Sequence, residues 1–225
     1  MTEQLYPFLR QDGAGTDTGT DEADAGALLE EVRRSTREKA HEIVALRRAV
    51  LDRDGDRLTG CAARLARAFA SGGRLFVFGN GGSSTDAQDV AALFLNPGEL
   101  EPGEPAQPLP ALALTTDAAV VTALSNDVGF EVVFARQLAA FGRPGDIALG
   151  LSTSGDSPNL IRAFEEAARR GMVTVGLAGS TGGAMAELGG GIDHLFVMPS
   201  ASVHRVQEAQ TTVYHALWEL TQRAL

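Results

Sequence analysis

From Arg74 onward the chain repeats one pattern: a short uninterrupted apolar run, a turn of small residues, and a stretch of helical periodicity. The runs are "RLFVFG" (74–79), "LPALALTT" (109–116), "DIALGLST" (146–153), "MVTVGLAG" (172–179) and "DHLFVMP" (193–199). A strand with one wet face alternates apolar and polar residues, whereas an unbroken apolar run is a strand buried on both faces. Gly, Pro or Asp bounds each run and so marks its limits. Helical stretches fall between the runs at 85–95, 117–125, 130–141, 158–170 and 182–188. The pattern predicts an α/β fold: a doubly wound, five-stranded parallel sheet flanked by helices. The last element, 204–224, reads as a helix with Val206, Val213, Leu217 and Leu220 on its apolar side.

The part before the first strand reads differently. Residues 27–51 carry helix formers with Leu28, Leu29, Val32, Ile43, Val44 and Leu46. "LDRDGDRL" then predicts a turn, since it lacks the ligand spacing and closing Glu of a calcium loop. A second helix follows through "LTGCAARLARAFA" to Ser71. Two helices ahead of the sheet predict a packing or assembly element. Residues 11–25 have almost no large apolar side chain and cannot offset the entropy of ordering. The expected organisation is a flexible arm over 1–25 and a single domain over 26–225. "NPGELEPGEPAQPLP" (96–110) reads as a loop within that domain.

Charge narrows the partners. The formal net charge is −10 with no basic run, which excludes the electrostatic footprint of a nucleic-acid groove and disfavours anionic membranes. No apolar run approaches the roughly 20 residues of a membrane span, and no basic-then-apolar leader opens the chain; a cytoplasmic location is expected. The single cysteine, Cys61, allows no internal disulfide and sits in a helical apolar pattern that predicts core.

Ligands of an open parallel sheet bind beyond the carboxyl ends of its strands. Two of those ends carry small polar loops. The first is Gly79-Asn80-Gly81-Gly82-Ser83-Ser84, ahead of a helix expected to begin near Thr85. Its glycines permit positive φ and close backbone approach, and a helix N-terminus favours an anion. A tight strand-to-helix turn would also explain it. The second is Ser152-Thr153-Ser154-Gly155-Asp156-Ser157, followed by Pro158. Ser157 suits the N-cap and Pro158 the first helical position. Ser152, Thr153 and Ser154 are left over, three hydroxyls able to donate to a phosphate. Neither loop has a lysine, so neither is a nucleotide P-loop and no nucleotide cofactor is expected. A small phosphomonoester fits best.

"FGNGGSSTDAQ", "SNDVGF", "GDIALGLSTSGDSPNLIRAFEEAARRGM" and "VQEAQTTVYHALWEL" resemble, in this order, the SIS (sugar isomerase) domain family, and within it the phosphoheptose isomerases. The likeness runs from about residue 28 to the C-terminus. It implies a five-stranded parallel sheet, a homotetramer with sites at subunit interfaces, and a small phosphorylated sugar as substrate. It places Asn80, Gly81, Gly82 and Ser83 along the sugar phosphate, Asn126 and Asp127 on the sugar, and Ser152, Thr153, Ser154 and Ser157 on the phosphate. The implied reaction is aldose–ketose isomerisation, sedoheptulose 7-phosphate to a glycero-manno-heptose 7-phosphate. That reaction needs a base to move a proton between adjacent carbons and a stabiliser for the enediolate.

In that family a helix after the glycine loop supplies a His and, four residues on, a Glu; the C-terminal helix supplies a Gln and, eight residues on, a His. The four bind zinc, and the Glu and second His serve as base and acid. The matching residues here are Asp89, Leu93, Gln207 and His215. Gln207 and His215 agree with the pattern. Asp89 can still ligate through oxygen, so Asp89, Gln207 and His215 are the expected metal ligands. Leu93 can neither ligate nor accept a proton. The expected catalytic set is His215 as acid with Asp89 or Glu208 as base. Glu208 and His204 fall near the line of His215 on the helix, and His204 is a further departure from the pattern. His194 and His41 read as structural and surface residues. Two functions compete: an isomerase with an altered metal and base site, or a non-catalytic protein that senses a phosphosugar or docks a protein.

Overall fold

The first apolar run folds as strand β1, Leu75–Gly79, with every residue buried. Its side chains divide between two cores: Leu75 and Val77 enter one with residues of the N- and C-terminal helices, Phe76 and Phe78 enter the other. Alternate residues of a strand point to opposite faces, so a strand buried on both sides has no place for a polar residue. Phe78 packs between Phe134 and Phe164, with ring centroids 5.5 Å and 5.3 Å away. These spacings are those of favourable aromatic pairs.

The computed structural model describes residues 22–225. Helix α1 (Glu22–Ala70) precedes β1, and α2 (Gly82–Leu95) follows it. A short hairpin, β2 (Glu99–Glu101) and β3 (Glu104–Pro105), leads to β4 (Ala111–Ala113). Then come α3 (Ala118–Asp127), a 3-10 turn, α4 (Val133–Phe141), β5 (Ile147–Ser152) and α5 (Pro158–Arg169). β6 (Val173–Gly179), α6 (Gly183–Glu187), β7 (His194–Met198) and α7 (Val203–Arg223) complete the chain. β4, β1, β5, β6 and β7 form one sheet in that order, every pair parallel. The predicted doubly wound five-stranded sheet is the observed one.

The strand order reverses at β1, which has β4 on one side and β5 on the other. Such a switch point opens a crevice at the carboxyl ends of the strands. Gly79 pairs with Leu151 in register, so the loops that leave β1 and β5 start side by side.

Three expectations need correction. The turn at "LDRDGDRL" does not form; one helix runs unbroken over Glu22–Ala70. Gly55 disfavours helix by about 1 kcal/mol relative to Ala, and a buried ion cluster offsets it. The Asp54 carboxylate, fully buried, accepts from Arg53 at 2.6 Å and from Arg57 at 2.5 Å. The same guanidinium groups donate to the carbonyls of Val197 and Leu195, which covers the outer edge of β7. The 96–110 loop holds the β2–β3 hairpin, closed by the Gly103 N–H donating to Glu99 at 3.0 Å. α2 starts at Gly82, not near Thr85. The flexible arm over 1–25 lies outside the described residues except for 22–25, which are helical.

The chain divides between Ala40 and His41 into two compact units. The described part of the first is helical, with ion pairs Arg33–Glu30 and Arg34–Glu38 and with Leu28, Leu29 and Val32 exposed. The second holds the sheet and the site. Cys61 is buried there, as predicted, and burial pushes its thiol up to about 12.

Candidate functional site

The glycine loop is shaped by the helix it starts. A Cβ on Gly79 would lie 2.5 Å from the Ser83 carbonyl oxygen, so only glycine lets the first turn of α2 fold back over the strand end. Gly81 caps the helix at φ +56°, a region costly for any other residue. The Ser83 and Ser84 N–H groups donate to Asn80 and Gly81 carbonyls at 3.0 Å and 2.9 Å. Those amides therefore close the turn, and Gly81 and Gly82 are the exposed residues of the loop.

In the second loop the hydroxyls do the folding. Ser152 Oγ accepts from the Gly155 N–H at 2.9 Å and Ser154 Oγ from the Asp156 N–H at 3.1 Å. A hydroxyl that accepts a backbone N–H keeps its own proton to donate. The two Oγ atoms are 3.5 Å apart, in hydrogen-bonding range of each other with either able to donate. Ser157 is the N-cap of α5 with Pro158 in the first turn, as the sequence predicts; its side chain makes no capping hydrogen bond. Thr153 is half-buried and Ser154 exposed. Asp156 accepts from the Ala184 N–H at 2.8 Å, which ties the loop to α6.

Side chains from α5 and α7 hold both loops. Asn80 and Asn159 exchange two amide hydrogen bonds, at 2.9 Å and 2.8 Å. Gln207 lies against Gly82, where an added Cβ would collide with its amide nitrogen. That nitrogen donates to Asp86 at 3.3 Å. Gln210, fully buried, donates to the carbonyls of Ser152 and Leu177, both at 3.1 Å, so it fixes the ends of β5 and β6 to α7. Asn159, Asp86 and Gln210 were not singled out from the sequence; their partners are 79, 121 and 58 residues away.

Residues 207, 211 and 214 form one face of α7, at i, i+4 and i+7. Burial pushes the Tyr214 phenol above its ordinary range, a hydrogen bond with Thr211 opposes the rise, and the Asp86 and Asp89 carboxylates of α2 add to it. His215 is exposed, its ring stacked on Tyr214 with centroids 4.9 Å apart. Its Nδ1 lies 2.9 Å from the Thr211 carbonyl oxygen. A carbonyl can only accept, so Nδ1 carries a proton, which in the neutral ring leaves the lone pair on Nε2.

Burial raises the Asp86 pKa from its ordinary 3.8, Gln207 lowers it in part, and Asp89 adds to the rise. A carboxylate with a raised folded-state pKa favours folding below the unfolded value and loses that contribution as pH rises through the folded one. Asp86→Asn is therefore expected to raise the melting temperature at pH 7, with the gain vanishing near pH 3.8. A thermal melt series that shows Asp86→Asn less stable at pH 7 would contradict this placement.

Other predicted residues sit elsewhere. Asp89 is exposed on α2. Leu93 is half-buried and packs against the main core. Glu208 is ion-paired with Arg205, which also reaches Glu42, and the Glu208 carbonyl accepts from Arg47. The structure thus turns Glu208 toward α1 and does not bring it to the loops. His204 is exposed. Asn126 and Asp127 end α3 exposed, with the Asn126 amide donating to Asp127 at 2.7 Å. A cleft of about 830 Å³ between β4, α3 and α4 shares no lining residue with the two loops.

The zinc expectation turns on the donors. Asp89 and Gln207 offer oxygen and His215 offers Nε2; with Gln207 nitrogen on Asp86, the Gln207 oxygen is the end left over. The Nδ1–H to carbonyl bond of His215 is the arrangement that steadies a ligating histidine. No three His, Cys, Asp or Glu converge among the described residues, and eight residues of helix separate Gln207 from His215 by about 12 Å along its axis, so one copy of the chain does not bring the three expected ligands together.

Comparison with known proteins identifies the family of this fold. The sequence profile of the SIS domain matches residues 40–179. The phosphoheptose isomerase of Nitratidesulfovibrio vulgaris (strain Hildenborough) is 42% identical over 88% of this chain and 92% of its own length. That of Aquifex aeolicus is 38% identical over 87% and 96%. The solved phosphoheptose isomerase of Neisseria gonorrhoeae superposes with a TM-score of 0.75 at 32% identity, over 85% of this chain and 99% of that one. The chain belongs to the SIS domain family, on its phosphoheptose isomerase branch.

Proposed function

We propose that this protein is a phosphosugar isomerase that interconverts a ketose 7-phosphate and the corresponding aldose 7-phosphate. The observation that carries the reading is the hydroxyl loop. Ser152 and Ser154 each accept a backbone N–H and lie within hydrogen-bonding range of each other, so at least one of their protons is free to donate; Ser157 makes no capping hydrogen bond, and the loop runs from the end of β5 to the N-terminus of α5. Seven relatives on the same branch beyond the first, all of them named phosphoheptose isomerase, support the same chemistry.

In this reading the phosphate sits on Ser152, Thr153, Ser154 and Ser157, and the sugar runs along Asn80, Gly81, Gly82 and Ser83 toward Gln207. His215 Nε2 exchanges a proton with a substrate oxygen. Asp89 takes the carbon-bound proton, since Glu208 is already engaged by Arg205. Asn126 and Asp127 contact the sugar. If a divalent cation instead took Asp89, Gln207 and His215 Nε2 from neighbouring copies as ligands, it would polarise the substrate oxygens as they gain charge, in place of the His215 proton exchange.

Sedoheptulose 7-phosphate is the test substrate. Formation of the aldose by the purified protein supports the reading, and binding without product favours the phosphosugar sensor, the reading to which the half-buried Leu93 points. Ser154→Ala removes one donor to the phosphate and should weaken sedoheptulose 7-phosphate binding about tenfold by calorimetry, the scale of a charge-assisted hydrogen bond. Unchanged affinity would remove the phosphate from this loop.

Assembly belongs to the proposal as well. Gln207 and His215 are about 12 Å apart along the helix axis, and Asn126, Asp127 and Glu208 make no hydrogen bond to the two loops among the described residues. A neighbouring copy in a cytoplasmic homotetramer would complete the site. Light scattering should then give four times the 23.5 kDa chain mass; a monomer would contradict it.

A further inference from the structure

Both loops are anchored to α7, the glycine loop through Gln207 and the hydroxyl loop through Gln210, and Asp156 ties the hydroxyl loop to α6 as well. Among the described residues, one side-chain link joins the glycine loop to the first turn of α5, which the hydroxyl loop leads into. Asn80 Nδ2 donates to Asn159 Oδ1 at 2.9 Å, and Asn159 Nδ2 donates to Asn80 Oδ1 at 2.8 Å. Asn159 is 2% exposed and lies two residues beyond Ser157, whereas Asn80 is half-buried and directly follows β1. Leaving a buried amide unpaired costs about 1–3 kcal/mol, so each asparagine holds the other in one rotamer. The pair forms a closed amide ring. Each amide keeps one N–H and one lone pair, and Asn80 is the partner that retains access to solvent.

We propose that Asn159 is a positioning residue. It fixes Asn80, and through Asn80 the spacing between the glycine loop and the hydroxyl loop, before any ligand arrives. Pre-organised loops bind without the entropy of ordering them. The latch therefore acts equally on bound substrate and transition state. Such uniform binding appears in KM and leaves kcat alone.

The kinetic arm of the test rests on the isomerase reading. Asn159→Ala should raise KM for sedoheptulose 7-phosphate about tenfold and keep kcat within about twofold. A residue that only supports the fold would lower kcat per mole of chain and the melting temperature at constant KM. The double variant Asn80→Ala, Asn159→Ala should be within about twofold of the worse single variant, because both remove one interaction. Multiplied single effects, or an unchanged KM in Asn159→Ala, overturn the latch. A second arm needs no ligand: amide hydrogen exchange over 79–84 should quicken in Asn159→Ala, although the substitution is in α5. If exchange quickens while the wild type neither binds nor converts sedoheptulose 7-phosphate, the latch holds and the functional reading fails. Unchanged exchange over 79–84 overturns the latch whatever the kinetics show.

Discussion

The double substitution Leu93→Glu, Asp89→His should raise kcat for sedoheptulose 7-phosphate by about 10²-fold. A positioned general base contributes about 10²–10⁴ in rate, and the family resemblance puts a His and, four residues on, a Glu at these places on the helix after the glycine loop. Positions 89 and 93 share a face of α2. Leu93 is half-buried against the core, so a carboxylate there keeps partial access to water and can ionise. The stability cost is the apolar area that Leu93 gives up, about 1–2 kcal/mol for an incompletely buried leucine. The rate should be measured in zinc-loaded and chelated protein alike. A variant that folds, binds sedoheptulose 7-phosphate with wild-type affinity and turns over no faster would show that position 93 is not the place of the base.

The second large effect concerns stability. Arg53→Met, Arg57→Met should cost about 3–5 kcal/mol, because it leaves the fully buried Asp54 carboxylate without its partners. For a chain of this size that corresponds to a fall of about 6–20 °C in melting temperature. The arginines are themselves half exposed, so the converse change strands no charge in the interior: Asp54→Leu should cost much less. The order of the two variants is the informative result. If Asp54→Leu is the more damaging, the cluster does not carry the helix through Gly55 as argued. The double arginine variant should also fray α1 near Gly55 and uncover the edge of β7, both visible as faster amide exchange.

β1, β5 and β6 were legible because each is buried on both faces, a condition that leaves an unbroken apolar run in the sequence; the edge strands β4 and β7 are only partly buried but keep apolar runs bounded by turn residues. "FVFG" is such a run, and its alternate residues feed two separate cores. The continuity of α1 was not legible. "DRDGDRL" has the composition of a turn, and what keeps it helical is a pair of arginines that reach carbonyls of β7 138 and 144 residues away. The β2–β3 hairpin has no apolar pattern to announce it; a side-chain contact from Glu99 closes it.

The site divides in the same way. Glycines and consecutive serines at strand ends are local signals, and both loops stand side by side at the switch point. Asn159, Asp86 and Gln210 act through partners far away in sequence, and nothing near them marks that role. Helical spacing put Glu208 near the line of His215. Spacing says which residues share a face but not what that face meets, and Glu208 meets Arg205.

The central claim is that these residues move a proton between two adjacent carbons of a phosphosugar. The most direct measurement is to incubate the purified protein with sedoheptulose 7-phosphate in D₂O and follow the sugar by NMR. The expected result is an aldose 7-phosphate with deuterium at the carbon next to the carbonyl, both reduced by His215→Ala. Ligand bound at the Ser154 loop with neither aldose nor deuterium, in zinc-loaded and metal-free protein alike, would contradict it.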